Sequence, residues 1–174
     1  VNLYGATKLC AERLFIQGNS YAGGRGTIFS CARYGNVIGS NGSVIPLFLQ
    51  QKTKGFVTLT DERMTRFWIT LEQGVQFVVQ GIERMRGGEI FVPKIPSMKL
   101  VDLIDAIAPQ VEKRIIGMRS GEKLHEMLLN EYEARRTREF PEYFAIEPEF
   151  PFWDQDRAIE KGTPVPEGFQ YTSD

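Results

Sequence analysis

Residues 71–92, LEQGVQFVVQGIERMRGGEIFV, decide the fold class of this chain. Apolar side chains recur there at the spacing of an amphipathic helix, at Val75, Phe77, Val78, Ile82 and Met85. The helix predicted over 71–85 would end at Gly87 and Gly88, because glycine commonly terminates helices. A strand predicted over 89–92 follows at once. One amphipathic helix therefore leads directly into one strand.

The same alternation continues on both sides of this unit. Apolar periodicity and turn residues predict further helices over 6–16, 45–51, 100–108 and 124–129, and strands over 27–32, 56–59 and 113–118. In the first of these helices, Leu9, Leu14 and Phe15 form the expected buried stripe. Residues 33–43 read as a glycine-rich polar loop, and residues 60–68 as part turn and part strand. The alternation indicates an α/β fold, whose loops can carry a site.

Length and composition exclude several classes of protein. The chain has 174 residues, of which 42% are hydrophobic, and this is enough to bury a core in a single domain. Its 21 basic and 22 acidic residues nearly cancel, so no large field attracts nucleic acid or an anionic membrane. No apolar run approaches the roughly 20 residues of a membrane span. We therefore expect neither nucleic acid nor membrane as a partner, and any anion site must be local.

The cysteines and the histidine narrow the chemistry further. Cys10 and Cys31 lie in apolar segments without metal or disulfide spacing, which favours a reducing cytosol and a cytoplasmic protein. His125 is the only histidine, so neither a multi-histidine metal site nor a Ser-His triad can be built from this sequence. We expect no metal, and His125 is interpreted as a helix-surface residue.

Tyr4 and Lys8 are the first candidates for chemistry. They lie four residues apart at the start of the first predicted helix, so they would share one face if the helix begins at Tyr4, and the ammonium would favour the ionised phenol. Because tyrosine ordinarily ionises near pH 10, a tyrosine base working near neutrality needs such help. The pair alone is equally compatible with an exposed tyrosine beside a solvated lysine.

The ends of the sequence suggest a fragment. The chain opens on Val1 rather than Met, and it contains no Gly-x-Gly-x-x-Gly phosphate turn. Gly23, Gly24 and Gly26 follow a helical pattern rather than a strand, so they are interpreted as a turn. Beyond Glu139, proline, glutamate and aromatic residues become dense, which predicts a domain over 1–140 and an irregular tail over 141–174.

Four segments carry a resemblance to a known family. The segments, in chain order, are residues 2–8 (NLYGATK), 33–39 (RYGNVIG), 64–68 (MTRFW) and 119–124 (RSGEKL). The first resembles the Tyr-x-x-x-Lys site of short-chain dehydrogenases/reductases, and the others resemble the substrate loops of the extended branch. Together they are similar to the soluble, inverting UDP-N-acetylglucosamine 4,6-dehydratases of pseudaminic acid synthesis. Membrane-bound relatives usually carry methionine where Tyr4 stands. The likeness runs from Val1 to about residue 129.

The resemblance implies a fold and a cofactor. The fold would be the carboxyl-terminal part of a Rossmann-type extended short-chain dehydrogenase/reductase, with its smaller substrate-binding region. NADP would take hydride from C4 of the sugar and return it to C6 after loss of water and inversion at C5. The family's glycine-rich turn and its Asp-Lys dehydration pair would precede Val1. The resemblance also implies a homo-oligomer that assembles through helices including the one bearing Tyr4.

It also assigns residues to the site. Tyr4 would be the base at the C4 hydroxyl, and Lys8 would bind the nicotinamide ribose. The cofactor would pass Val37, Ile38, Gly39, Ser40 and Asn41 in addition to that pair. The UDP-sugar would contact Asn36, Val44, Thr60, Arg119 and Glu122. Arg119 offers a planar fork for a diphosphate, and Glu122 can accept from ribose hydroxyls. Arg66 is expected to lie where Phe67 and Trp68 pack beneath the site.

Two other functions remain open from the sequence. The chain could be a substrate-binding and assembly module without turnover, because the cofactor turn and the dehydration residues are absent from it. A nucleotide-sugar epimerase is the closer alternative, since epimerases share the tyrosine, the lysine and the diphosphate arginine. Asn36 could also serve only to stabilise a turn, and Glu122 only to begin a helix.

Overall fold

A computed structural model describes residues 3–22, 26–40, 42–150 and 162–174 of the chain. Its helices are α1 (Leu3–Ala22), α2 (Val44–Lys52), α3 (Leu71–Arg84), α4 (Leu100–Ile107) and α5 (Glu131–Ala134). The strands are β1 (Cys31–Ala32), β2 (Asn36–Val37), β3 (Phe56–Leu59), β4 (Thr65–Ile69), β5 (Ile90–Pro93), β6 (Ser97–Lys99), β7 (Glu112–Ile115), β8 (Met127–Leu129), β9 (Thr137–Glu139), β10 (Tyr143–Ile146), β11 (Thr163–Pro164) and β12 (Tyr171–Thr172).

The largest sheet within these ranges has five strands in the order β1-β5-β10-β9-β11. β1 runs parallel to β5, whereas β10 is antiparallel to both β5 and β9. Its core includes Ile90, Val92, Phe144 and Ile146, all of them buried. Burial of such side chains supplies most of the favourable free energy of a fold of this kind.

A second unit carries the candidate site. β3 pairs in parallel with β7, and α2 and α4 pack against it through Phe48 and Ile104. β4 is the central strand of a three-stranded sheet, parallel to β2 and antiparallel to β6. Trp68 of β4 belongs to the core beneath α2, whereas its neighbour Phe67 belongs to the core of the large sheet. Successive residues of a strand point to opposite faces, so β4 contributes to both cores.

Helix α3 confirms the prediction made from residues 71–85. Thr70 caps it with a reciprocal capping box, in which its side chain accepts from the backbone of Gln73 while the Gln73 side chain accepts from the backbone of Thr70. α2, β3 and α4 also form where the periodicity placed them. β1 is shorter than the predicted strand over 27–32, and β2 forms inside the segment predicted as a loop.

Helix α1 departs from its prediction. It extends from Leu3 to Ala22, and none of its residues is buried. Leu9, Leu14 and Phe15, the expected buried stripe, are each about half exposed or more. The physical reason is that the described contacts of α1 with the sheet involve other side chains, namely Ile16, Asn19, which bonds to Phe29, and Glu12, which bonds to Arg33.

Two predictions for the last third of the chain are wrong. Residues 124–129 were predicted as a helix, but Met127–Leu129 form β8, which pairs antiparallel with β12. Residues 141–174 were predicted as an irregular tail, but Tyr143–Ile146 form β10, an interior strand that is buried throughout. In both cases the strand is stabilised by a partner far along the chain. In the part of the chain that is described, no helix is long and apolar enough to span a membrane.

Candidate functional site

A cleft of about 210 Å³ opens between α2, β3 and the segment after β7. Five predicted substrate residues line it together, namely Asn36, Val44, Thr60, Arg119 and Glu122. They come from β2, the start of α2, the turn after β3 and the loop before β8, so the fold gathers them from separated segments. The lining combines these polar side chains with apolar ones, including Leu47, Phe48 and Ile116. Such a shape suits an organic ligand with a charged end.

Arg119 and Glu122 form one turn at the cleft. The backbone N–H of Arg119 donates to Oε2 of Glu122 at 2.9 Å, and the backbone N–H of Glu122 donates to the Arg119 carbonyl at 3.1 Å. Gly121 between them has φ 83°, a left-handed conformation that favours glycine. The side chain of Arg119 is exposed at the cleft. The turn therefore presents a guanidinium fork, the geometry that suits phosphate oxygens.

Arg66 also lines the cleft, but its hydrogen bonds point elsewhere. Nη1 donates to the carbonyls of Thr65 and Leu124 at 2.6 and 3.1 Å, and Nη2 donates to the carbonyl of Lys123 at 3.2 Å. These bonds brace β4 against the loop that carries Arg119. Phe67 and Trp68, which were expected to pack beneath the site, are both buried, but only Trp68 shares a core with the cleft residue Phe48, whereas Phe67 packs in the core of the large sheet.

Residue His125 is not on a helix surface, so that prediction is wrong. Its Nδ1 lies 2.8 Å from Oγ1 of Thr65, which lies 2.7 Å from Oγ of the buried Ser173. Ser173 Oγ in turn accepts from the backbone N–H of Glu126 at 2.9 Å. Local periodicity could not show this chain of contacts, because it joins β4 to residues next to β12. These contacts hold Thr65, which lies between the cleft residues Met64 and Arg66, against the residue that follows β12.

Tyr4 and Lys8 share one face of α1 but do not line the cleft. The Lys8 Nζ lies 5.4 Å from the centre of the Tyr4 ring. Tyr4 is 71% exposed and Lys8 is also exposed, so both side chains can be reached by a ligand. The spacing inferred from the sequence is therefore present as an adjacent phenol and ammonium.

The loop after β2 was the predicted cofactor segment. Val37 pairs with Ile69 in the parallel β2–β4 ladder, and the Ile38 N–H donates to the Ile69 carbonyl at 2.9 Å. Ser40 donates its N–H to Val37 at 3.3 Å around Gly39, whose φ is 74°. Asn41 lies outside the described residues. This turn is short and largely exposed, and the sequence contains no glycine-rich turn for the phosphates of a dinucleotide.

Sequence reasoning assigned no role of its own to Arg33, whose guanidinium donates five hydrogen bonds. Its Nε and Nη2 donate to the two carboxylate oxygens of Glu12 at 2.9 and 2.8 Å. Its Nη1 and Nη2 donate to those of Glu133 at 3.0 and 2.9 Å, and Nη1 also donates to the Leu128 carbonyl at 2.8 Å. Glu12 and Glu133 are distant in sequence from Arg33, so only a resemblance across whole structures could have indicated the cluster.

The contacts within the cluster of Arg33, Glu12 and Glu133 favour the ionised forms of Arg33 and Glu133. Burial alone would raise the pKa of the Glu133 carboxyl, but the hydrogen bonds and charge of Arg33 outweigh burial and leave that pKa below its ordinary value. Burial likewise opposes the charge of Arg33, yet the bonds to Glu133 and Glu12 raise the pKa of its guanidinium. Nearby Cys31 has a raised pKa, mainly because of burial and then because of Glu12. That thiol is therefore protonated and poorly nucleophilic near neutrality.

The sequence is similar to curated nucleotide-sugar enzymes over its whole length. UDP-N-acetylglucosamine 4,6-dehydratase (inverting) from Campylobacter jejuni is 51% identical over 182 aligned positions, which cover all of this chain and 54% of that protein. The chain thus spans about half the length of the curated relatives it matches.

Solved structures show the same fold. The X-ray structure of Pen from Bacillus thuringiensis matches 99% of this chain and 52% of its own, with a TM-score of 0.85 and 34% identity. A dTDP-glucose 4,6-dehydratase from Streptomyces venezuelae, solved with NAD bound, matches 70% of this chain and 42% of its own, with a TM-score of 0.56 and 20% identity. These likenesses confirm the predicted fold class, the α/β fold of Rossmann-type extended short-chain dehydrogenases/reductases, over the part of those structures that the chain covers.

One family model covers most of the sequence. The model described as polysaccharide biosynthesis protein matches residues 1–148. That range includes the Tyr4–Lys8 pair, the loop after β2 and the whole lining of the cleft. The chain therefore belongs to the polysaccharide biosynthesis protein family.

Proposed function

We propose that this chain is the carboxyl-terminal part of a UDP-N-acetylglucosamine 4,6-dehydratase that uses NADP and inverts C5, the first step of pseudaminic acid synthesis. The observation that carries the proposal is the convergence of Asn36, Val44, Thr60, Arg119 and Glu122 on one cleft. Identity of 51% to the inverting dehydratase, across the whole chain, supports it. We place the enzyme in the cytoplasm, with a UDP-sugar as its small-molecule partner.

The cleft would bind the nucleotide diphosphate end of the substrate. The Arg119 guanidinium can form paired hydrogen bonds with diphosphate oxygens, and these charge-assisted bonds are stronger than neutral ones. Glu122 keeps one carboxylate oxygen on the Arg119 backbone, so its other oxygen can accept from ribose hydroxyls. Asn36 can both donate to and accept from a sugar or diphosphate oxygen, while Val44 and Thr60 would contact the ligand along the cleft.

Tyr4 would remove the proton of the C4 hydroxyl. The phenolic oxygen would accept this proton as a general base, and the Lys8 Nζ lies 5.4 Å from the centre of the same ring. Lys8 would also donate to the ribose hydroxyls of the cofactor, which passes the turn at residues 37–41. NADP, when bound, would supply the acceptor for hydride from C4 and its return to C6. The proton at C5 would be removed by a family lysine that this sequence does not contain.

The deciding experiment analyses the product in deuterated water. The longer protein that contains this sequence is incubated with UDP-N-acetylglucosamine and NADP, and the product is examined by NMR and mass spectrometry. We expect a 4-keto-6-deoxy sugar with deuterium at an inverted C5. Inversion at C4 without loss of water would contradict the proposal and indicate an epimerase. UDP binding without any turnover would instead indicate a binding and assembly module.

The assembly would be a homo-oligomer. Leu14 and Phe15 are adjacent on α1 and are 68% and 57% exposed, and neighbouring exposed apolar side chains, unlike a single one, favour packing against a second copy. Sedimentation of the longer protein tests this. A monomer at working concentrations would contradict it.

A further inference from the structure

The guanidinium of Arg33 uses every donor it has. An arginine side chain carries five N–H groups, and here all five are directed at Glu12, Glu133 and the Leu128 carbonyl, at 2.8–3.0 Å. The side chains of Arg33, Glu12 and Glu133 are 21%, 13% and 5% exposed, so the contacts are largely shielded from water. Arg13 adds a second cation 3.6 Å from Glu133, which balances the two carboxylates with two guanidinium groups.

The three segments that this guanidinium joins are the three that build the candidate site. Glu12 lies one helical turn beyond Lys8 and two beyond Tyr4, so all three share a face of α1. Arg33 itself lies three residues before Asn36 at the cleft. Glu133 and Leu128 follow the loop with Arg119 and Glu122, and Glu133 is fixed by the capping box of α5 with Asn130.

We propose that Arg33 is a positioning residue, which sets the location of Tyr4 and Lys8 relative to the substrate cleft. This rests on the proposed function, because it assigns the reacting end of the ligand to α1 and the nucleotide end to the cleft. Tyr4 and Lys8 do not line that cleft, and α1 has no buried residue of its own. Two paired carboxylate contacts therefore supply orientation to a helix whose apolar packing is limited to partly buried residues such as Ile16.

A lysine cannot replace this arrangement. Its ammonium is a point charge that can satisfy one carboxylate well but cannot form two planar, paired contacts. Arg33→Lys therefore keeps the charge of the cluster and removes its geometry. Arg135→Lys is the matched control, because Arg135 is an exposed arginine near α5 whose ion pair with Glu167, at 3.8 Å, lies on the surface.

The test compares these two variants in the longer protein. For Arg33→Lys we expect kcat to fall by roughly 10- to 100-fold, since displacement of a reacting group by about 1 Å costs a factor of that order. KM for the UDP-sugar and Kd for UDP should stay close to those of the unmodified protein, as should all constants of Arg135→Lys. An unchanged kcat, or a loss confined to UDP binding, would overturn the proposal.

Hydrogen exchange gives a readout that does not need turnover. UDP should slow amide exchange in α1 of the unmodified protein and of Arg135→Lys, because the cleft and α1 are joined through Arg33. In Arg33→Lys this effect should be lost while UDP still protects residues 119–124. Equal effects of UDP on α1 in all three proteins, or no effect in any, would overturn the proposal. Absence of turnover in the unmodified protein would count against the proposed function alone.

Discussion

The backbone N–H of Arg119 donates to Oε2 of Glu122, so that the carboxylate closes the turn that presents the guanidinium to the cleft. Arg119→Ala should leave this backbone contact intact and remove only the fork. We expect UDP binding to weaken by about 1.5–3 kcal/mol, roughly 10- to 100-fold in Kd, the usual range for hydrogen bonds to charged groups. Calorimetric titration with UDP measures it.

The control for that measurement is Arg114→Ala. Arg114 is exposed and paired with Glu112 at 2.8 Å, and it is not among the residues of the cleft. Its Kd for UDP should match that of the unmodified protein. Equal Kd values for all three proteins would remove Arg119 from the site.

Tyr4→Phe should separate chemistry from binding. Loss of the phenol removes the proposed base at C4, and general acid–base catalysis typically contributes about 10²–10⁴ in rate. We expect turnover of UDP-N-acetylglucosamine to fall by that factor in the longer protein, with Kd for UDP unchanged because Tyr4 lies outside the cleft. Tyr21→Phe, on the same helix and 84% exposed, is the control. Full activity of Tyr4→Phe would refute the assignment of the base.

Gly35 should not tolerate a side chain. A Cβ built on it would lie 2.4 Å from Cβ of Phe67 and 2.8 Å from the Phe67 carbonyl oxygen, in the middle of β4. Gly35→Ala should therefore destabilise the protein by about 1–3 kcal/mol, as overpacking does. Gly74→Ala is the contrasting case, since nothing lies within 4 Å of its Cβ and α3 gains a better helix former, worth about 0.5–1 kcal/mol. Urea unfolding should give opposite signs for the two variants, and equal signs would contradict the geometry.

The Glu133 carboxylate should make stability depend on pH in a defined direction. Its pKa in the folded protein lies below the ordinary value of 4.5, so its stabilising contribution is fully present above pH 4.5 and is lost as the pH falls through the lower folded value. The difference in free energy of unfolding between the unmodified protein and Glu133→Gln should therefore shrink on acidification. Glu131→Gln, an exposed neighbour in α5, should show little difference at any pH. A difference for Glu133→Gln that grows on acidification would contradict the assignment.

Local patterns predicted the elements whose stability is local. α3 formed over nearly the predicted residues, because its apolar spacing and the capping box of Thr70 and Gln73 lie within one segment. The five residues predicted to contact the substrate were chosen through motifs rather than periodicity, and the fold places them around one cleft. Their roles stay predictions until binding is measured.

The errors concern elements whose partners are remote. The spacing of Leu124, Leu128 and Leu129 predicts a helix, yet residues 127–129 form β8 because they pair with β12. β10 looked irregular because prolines and glutamates surround it, yet its ladders to β5 and β9 bury it. The contacts of Arg33 with Glu12 and Glu133 were invisible for the same reason, since no local pattern links them.

The contact between Thr65, His125 and Ser173 has a directional consequence. A hydroxyl has one proton to give, so when Nδ1 of His125 accepts from Thr65, Thr65 must receive its second bond from Ser173. A proton on Nδ1 reverses the first bond and leaves the Thr65 hydroxyl free to donate to Ser173, while the Glu126 N–H still donates to Ser173. The chain of hydrogen bonds can thus run in either direction, and every contact is kept in both. The single histidine of the chain can therefore change tautomer while the contacts that join Thr65, Ser173 and Glu126 are all kept.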